Sequence, residues 1–168
     1  MQPFERDELA GLFTELDASD RFLPDLEAVD WGVLDYFGWL HPAGHLGYVA
    51  LRLDGEAVGL ALRRTLFRGR RRRTHMCAWC HTLHPAGGVA MFSRAVDGSD
   101  GRRTIGQNLC KSLDCSLRLR NLTSDPRLVM PETIDLSRKV LRLQLSLSSY
   151  VRRVRPRSTA PGSAPGPH

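Results

Sequence analysis

The sequence has almost no lysine, no long apolar run and no catalytic signature, and each absence narrows what it can do. No stretch of about 18 consecutive apolar residues occurs in the 168-residue chain, so no membrane-spanning helix is expected. The opening Met1-Gln-Pro-Phe-Glu-Arg-Asp-Glu is acidic and lacks the apolar centre of a secretory signal. A cytoplasmic protein is therefore expected. There is no Walker lysine loop, no Gly-x-Ser-x-Gly and no His-Glu-x-x-His. The acids and histidines fall at no spacing that specifies chemistry, so the chain is not expected to be an enzyme. Cysteine is scarce, with four in all. In a reducing compartment four cysteines read as metal ligands or thiols rather than disulfides. Lysine is scarcer still: only Lys111 and Lys139 stand among 24 basic residues, and the rest are arginine.

What is present is ordinary in bulk and lopsided in charge. Hydrophobic residues make up 42% and charged residues 25%, as in a typical globular chain. One domain over residues 1–155 is expected. The Pro, Gly and Ser-rich stretch 156–168 cannot bury enough apolar area to offset its ordering entropy and reads as a disordered tail. Residues 1–60 carry twelve acids against three arginines, whereas residues 61–168 carry the other 21 basic residues against six acids. A basic half suggests a polyanionic partner, either nucleic acid or an acidic protein face. Residues 63–73 hold its densest run, including Arg70, Arg71, Arg72 and Arg73. Like charges at that density repel, so a solvated mobile connector is expected, with a phosphate clamp as the alternative.

Residues 5–17 place Leu9, Leu12, Phe13 and Leu16 on one helical face, with acids in the first turn. The aromatic-rich stretch from Trp31 to Trp39 reads as core. Residues 47–53 and 56–62 flank Asp54-Gly55, a strong hairpin signal. Residues 88–96 read as a strand, Asp97 to Gly101 as a turn, and residues 102–105 as a returning strand. Residues 109–121 have a helical pattern. Residues 133–155 form the longest one, with Leu136, Val140, Leu143, Leu147, Tyr150 and Val154 as an apolar stripe expected to pack on its own domain. Arg138, Lys139, Arg142, Arg152 and Arg153 can lie on the other side.

The four cysteines, Cys77, Cys80, Cys110 and Cys115, follow the pattern C-x2-C-x29-C-x4-C. A C-x2-C knuckle points two thiolates at one metal, and zinc takes four such ligands in a tetrahedron. The two pairs are separated by an expected strand, turn and strand, and the second pair opens an expected helix whose N-terminus favours thiolates. Knuckle, hairpin and ligand-bearing helix are the order of a treble-clef zinc finger. Five residues separate Cys110 from Cys115, so Cys110 must sit just before the helix and Cys115 in its first turn. Four protein ligands leave no open position, which implies one structural Zn2+. A Cys/His site using His75, His81 or His84, and an iron–sulfur cluster, are the alternatives. A redox dithiol would need a βαβ context that is absent. Trp79, inside the knuckle, is either an anchor for a partner or a cap on the finger's own core.

Met76-Cys-Ala-Trp-Cys80, Gly87-Gly-Val-Ala-Met-Phe-Ser, Thr104-Ile-Gly-Gln-Asn-Leu-Cys110 and Asp114-Cys-Ser-Leu-Arg-Leu-Arg-Asn121 together resemble the C-terminal treble-clef zinc finger of the elongation-factor-G-binding, fusidic-acid-resistance (FusB-type) family. The resemblance is specific over residues 74–121 and closest to short stand-alone bacterial members. Resistance members carry a separate N-terminal helical bundle, where here one convincing helix precedes the hairpin. The resemblance implies that Cys77, Cys80, Cys110 and Cys115 bind zinc. It also implies that the chain binds elongation factor G, helps it leave the ribosome, and thereby bears on fusidic acid protection. The expected architecture is α+β: a small antiparallel sheet, a treble-clef finger over about residues 74–121 and a long C-terminal helix, in a monomer. Trp79, Arg70 to Arg73, Arg118 and Arg120 are the candidate partner-binding residues. The rival function is a basic finger that binds RNA or DNA phosphates through the arginine run and the basic helix face.

Overall fold

Alternation of apolar residues across five strands decides the architecture. The computed structural model describes residues 1–65, 74–123 and 132–156. Among these, β1 (Phe37–Leu40), β2 (Leu46–Leu53), β3 (Glu56–Thr65), β6 (Val89–Ala95) and β7 (Thr104–Cys110) form one sheet in the order β1-β2-β3-β6-β7. Every neighbouring pair is antiparallel. A two-stranded ribbon of β4 (His75–Met76) and β5 (Leu83–His84) stands apart and carries the knuckle. The helices are α1 (Arg6–Gly11), α2 (Cys115–Leu119) and α3 (Leu136–Val154). The α+β expectation is met.

The Asp54-Gly55 hairpin forms as expected. Both turn residues have positive φ, 52° and 85°, which a two-residue turn matched to strand twist requires. Residues on β2 and β3 then alternate between two apolar layers. Val49, Leu51, Val58, Leu60 and Leu62 face a core shared with α3 and the four cysteines. Tyr48, Ala50 and Leu46 face a second layer with Phe4, Leu9, Phe13, Phe37 and Trp39. The sheet is thus buried on both faces, which is why β2 reads as a nearly continuous apolar run.

The N-terminal segment covers the second face. Its helix stops at Gly11, short of the expected residue 17, because the chain tightens into i to i+3 turns at Leu12, Phe13 and Leu16. Leu9 and Phe13 are buried as expected. The aromatic stretch also contains a strand that the sequence pattern did not indicate. In β1, Phe37 stacks on Trp39 at 4.9 Å and Trp39 on Tyr48 at 5.1 Å, pairing the aromatics along the sheet.

On the first face lies α3. Asp135 caps it by accepting the Arg138 N–H at 2.8 Å. Leu143, Leu147, Tyr150 and Val154 are buried as the stripe predicts. Val140 is half-buried and Leu136 is exposed, so the buried stripe begins at Leu143, about two turns later than expected. The helical pattern over 109–121 is corrected: Leu109 and Cys110 end strand β7, and the helix proper is only Cys115–Leu119. The run Arg70, Arg71, Arg72 and Arg73 and nearly all of the tail lie outside the described residues. No described helix is long and apolar enough to cross a membrane.

Candidate metal centre

Three separate elements deliver the four sulfurs. Cys77 and Cys80 sit on the knuckle between β4 and β5. The knuckle is closed by the Cys77 N–H donating to Thr82 O at 3.0 Å and the His81 N–H donating to Cys77 O at 3.0 Å. The left-handed backbone of His81 (φ 59°) turns the chain back into β5. The Ala78 N–H donates to Asn108 O at 2.8 Å and fastens the knuckle to β7. Cys110 ends β7, and Cys115 is the first residue of α2. This is the arrangement that the five-residue spacing demanded.

Between them, Leu113 takes φ 55°, a left-handed conformation that is costly for a branched residue. Burial compensates. Leu113 is 2% exposed and fills space left by two glycines. A Cβ on Gly38 would lie 2.8 Å from the Leu113 Cβ, and one on Gly47 would lie 2.8 Å from its Cδ1. The turn that aims Cys115 at the metal thus depends on side chains missing from β1 and β2.

The sulfurs converge. Cys77 and Cys115 are 3.7 Å apart, Cys80 and Cys110 3.5 Å, and Cys110 and Cys115 3.7 Å. All four lie within 4.8 Å of one another and all are buried. A zinc tetrahedron with bonds of about 2.3 Å has edges of about 3.8 Å, so the cage matches one zinc ion. The cysteines are unbridged, as the sequence implied. Burial pushes the Cys115 thiol well above its usual range, helped by its thiol neighbours. Burial likewise raises the Tyr36 phenol, which accepts the Cys115 N–H at 3.3 Å. Four thiolates in so dry a place need a cation to offset their charge. With four protein ligands the ion has no vacant position for substrate or water. It would cross-link the knuckle, β7 and α2.

Groups around the cage orient it. His84 is 1% exposed, and its Nε2 lies 3.2 Å from Cys110 Sγ. It touches a ligand and does not replace one, since all four cysteines converge; the Cys/His alternative is set aside. Thr82 Oγ1 lies 3.3 Å from Cys80 Sγ. Gly88 makes room for His84: a Cβ there would come 2.6 Å from the His84 Cβ and 2.7 Å from its Nδ1. Tyr36 was not indicated by the sequence, because it lies 79 residues from its partner Cys115 and nothing local links them.

Three of the candidate partner-binding residues are engaged within the fold: Trp79 and Arg118 are buried, and Arg120 is half-buried and paired. Trp79 is fully buried, edge-on to Tyr36 and Tyr150 at 5.6 Å each, and its Nε1–H donates to Gln107 Oε1 at 2.8 Å. It caps the finger's own core. Arg118 is 2% exposed, and its Nε donates to Asp114 Oδ1 at 2.7 Å. Arg120 clamps Asp35 through both terminal nitrogens, at 2.7 and 3.4 Å, and donates to Ser116 O at 3.0 Å. Both arginines hold α2 in place.

Comparison with known proteins agrees with this geometry. The chain resembles the solved structure of the fusidic acid resistance protein FusC, with a TM-score of 0.55 at 15% identity, over 69% of this chain and 52% of that one. At that identity the likeness is one of fold, and the chain spans about half the length of FusC. No curated protein sequence matches the chain. The family model for the FBP C-terminal treble-clef zinc-finger matches residues 14–154, which begin after α1 and take in the whole sheet, all four cysteines and α3. The chain therefore belongs to the FBP C-terminal treble-clef zinc-finger family.

Proposed function

We propose that this protein is a non-enzymatic, cytoplasmic adaptor that binds translation elongation factor G and modulates its release from the ribosome, with protection against fusidic acid as a consequence. The observation that carries the reading is the closed four-sulfur cage. A metal with no vacant position does no chemistry on a substrate. It makes a rigid frame from a short stretch of chain, and the frame's use is to present a surface. Membership of the zinc-finger family and the fold shared with a fusidic acid resistance protein support the choice of partner.

The basic second half of the chain favours a second reading, in which exposed arginines contact RNA phosphates. Salt separates the two. Phosphate contacts weaken steeply and log-linearly with salt, whereas an interface with a desolvated apolar centre weakens less. The test is co-purification of the zinc-loaded protein with elongation factor G from the same organism, at low and at moderate salt. A stoichiometric complex that survives moderate salt is expected. No complex at either salt would refute the adaptor reading and bring RNA binding forward.

A further inference from the structure

Helix α3 has a second stripe, opposite the one that packs on the sheet. Leu141 is 54% exposed and Leu145 61% exposed, among the most exposed large apolar residues described. They stand one turn apart, beside the zinc knuckle, and line an open groove of about 440 Å3 with Ala78, His81 and Gln107. The groove is rigid on its knuckle side. The Arg142 guanidinium donates to Cys80 O at 3.2 Å, and Gln107 is held by Trp79.

Charge frames the two leucines. Arg138 lines the groove one turn before Leu141. At the same helical spacing the stripe runs on through Ser149 to Arg152 and Arg153, both exposed. No carboxylate lines the groove. Glu132 engages Arg142 and Lys139 from outside it, while the Arg138 side chain makes no ion pair among the described residues. The pattern is basic, apolar, basic, over about 22 Å of helix from Arg138 to Arg153 at about 1.5 Å per residue.

We propose that this groove docks an acidic amphipathic helix of a protein partner, with its apolar side on Leu141 and Leu145 and its carboxylates at Arg138 and at Arg152 and Arg153. The partner's identity rests on the elongation factor reading above; the surface does not. An apolar centre ringed by charge is the anatomy of helix-in-groove recognition. RNA phosphates would use the arginines but gain nothing from two leucines between them. A second copy packed antiparallel along α3 would set Arg138 against Arg152 and Arg153, and parallel packing would set like against like.

The test compares the zinc-loaded protein with a Leu141→Glu/Leu145→Glu double variant. An Arg102→Glu/Arg103→Glu variant in the exposed β6–β7 turn serves as the control. Zinc content and thermal unfolding verify that each folds. Affinity for elongation factor G is expected to fall about tenfold or more in the first and to hold in the second. Unchanged affinity in the leucine variant overturns the proposal while leaving the adaptor reading standing. If the unaltered protein binds no elongation factor G, the adaptor reading fails and a second arm decides the groove. In that arm, methyl resonances of Leu141 and Leu145 are followed against a synthetic Glu/Leu amphipathic peptide of about three helical turns. Saturable shifts at these methyls support the groove. No shift, or equal shifts with oligouridylate, overturns it. Dimerisation in sedimentation that the leucine variant abolishes also overturns it.

Discussion

Removing the metal should do more than loosen a loop. Zinc contributes about 10–16 kcal/mol in apparent terms to folding of isolated fingers at neutral pH. A whole domain is stable by only about 5–15 kcal/mol. Here the four cysteines belong to the same apolar cluster as Leu143, Leu147, Tyr150 and Val154 of α3, together with Tyr36 and Leu113. Losing the ion removes the cross-link between knuckle, β7 and α2, and with it the surface on which α3 rests. The second layer, built from Phe13, Trp39 and Tyr48, contains no cysteine. Chelation is therefore expected to unfold residues 74–121 and free α3, while β1 to β3 and the N-terminal segment keep more of their protection. Amide exchange read by mass spectrometry, before and after a high-affinity zinc chelator, resolves the two layers. Because thiolates bind zinc and thiols do not, lowering the pH should produce the same pattern by proton competition. Native protection over residues 74–121 in verified metal-free protein would refute the reasoning.

Three further outcomes follow from packing and ionisation. The His84→Ala variant, which removes the imidazole beside Cys110, should lose about 10–100-fold in zinc affinity by chelator competition, with all four ligands still present. Gly59 lies under α1, where a Cβ would come 2.6 Å from the Leu12 Cβ and 2.9 Å from its carbonyl oxygen. Gly59→Ala should cost about 1–3 kcal/mol, read as a lower denaturant midpoint with zinc content unchanged. Burial pushes the Tyr48 phenol up to about 12, with Asp20 adding to it, and burial pushes the Tyr150 phenol up to about 12 against the opposing effect of Arg94 and Arg153. A raised phenol favours the neutral folded state. Its contribution is complete below about pH 10 and is lost as pH rises through about 12. Alkaline unfolding should follow that window, and Tyr150→Phe should flatten it.

The metal cage was legible in the sequence because ligand chemistry depends on residue type and spacing, both of which are local. The five-residue gap between Cys110 and Cys115 even forced the strand-to-helix corner that the structure contains. How that corner is built was not legible. Leu113 can hold its left-handed turn only because Gly38 and Gly47, remote in sequence, leave room for its side chain. The same limit separates the arginines and the tryptophan from the leucines. Arg118 and Arg120 have the composition of a basic surface, yet Asp114 holds Arg118 buried and Asp35 holds Arg120 half-buried against α2. Asp35 is 85 residues from Arg120, beyond the reach of any window. Trp79 could serve as anchor or as core, and only Gln107, Tyr36 and Tyr150 decide for core. Leu141 and Leu145 carry the opposite lesson. A helix with one apolar stripe satisfies its own domain, so a second stripe is surplus to folding. Exposed leucines cost solubility and return no internal packing energy. What makes them informative is their position: they border the knuckle that the metal would hold rigid, and they lie between Arg138, which makes no ion pair among the described residues, and the exposed Arg152 and Arg153, of which Arg152 meets Asp54 at 3.6 Å. A partner meeting that surface finds it already ordered, so little conformational entropy is lost on binding. The zinc cage and the leucine stripe are then two halves of one argument, the first fixing the shape of the surface and the second supplying its affinity.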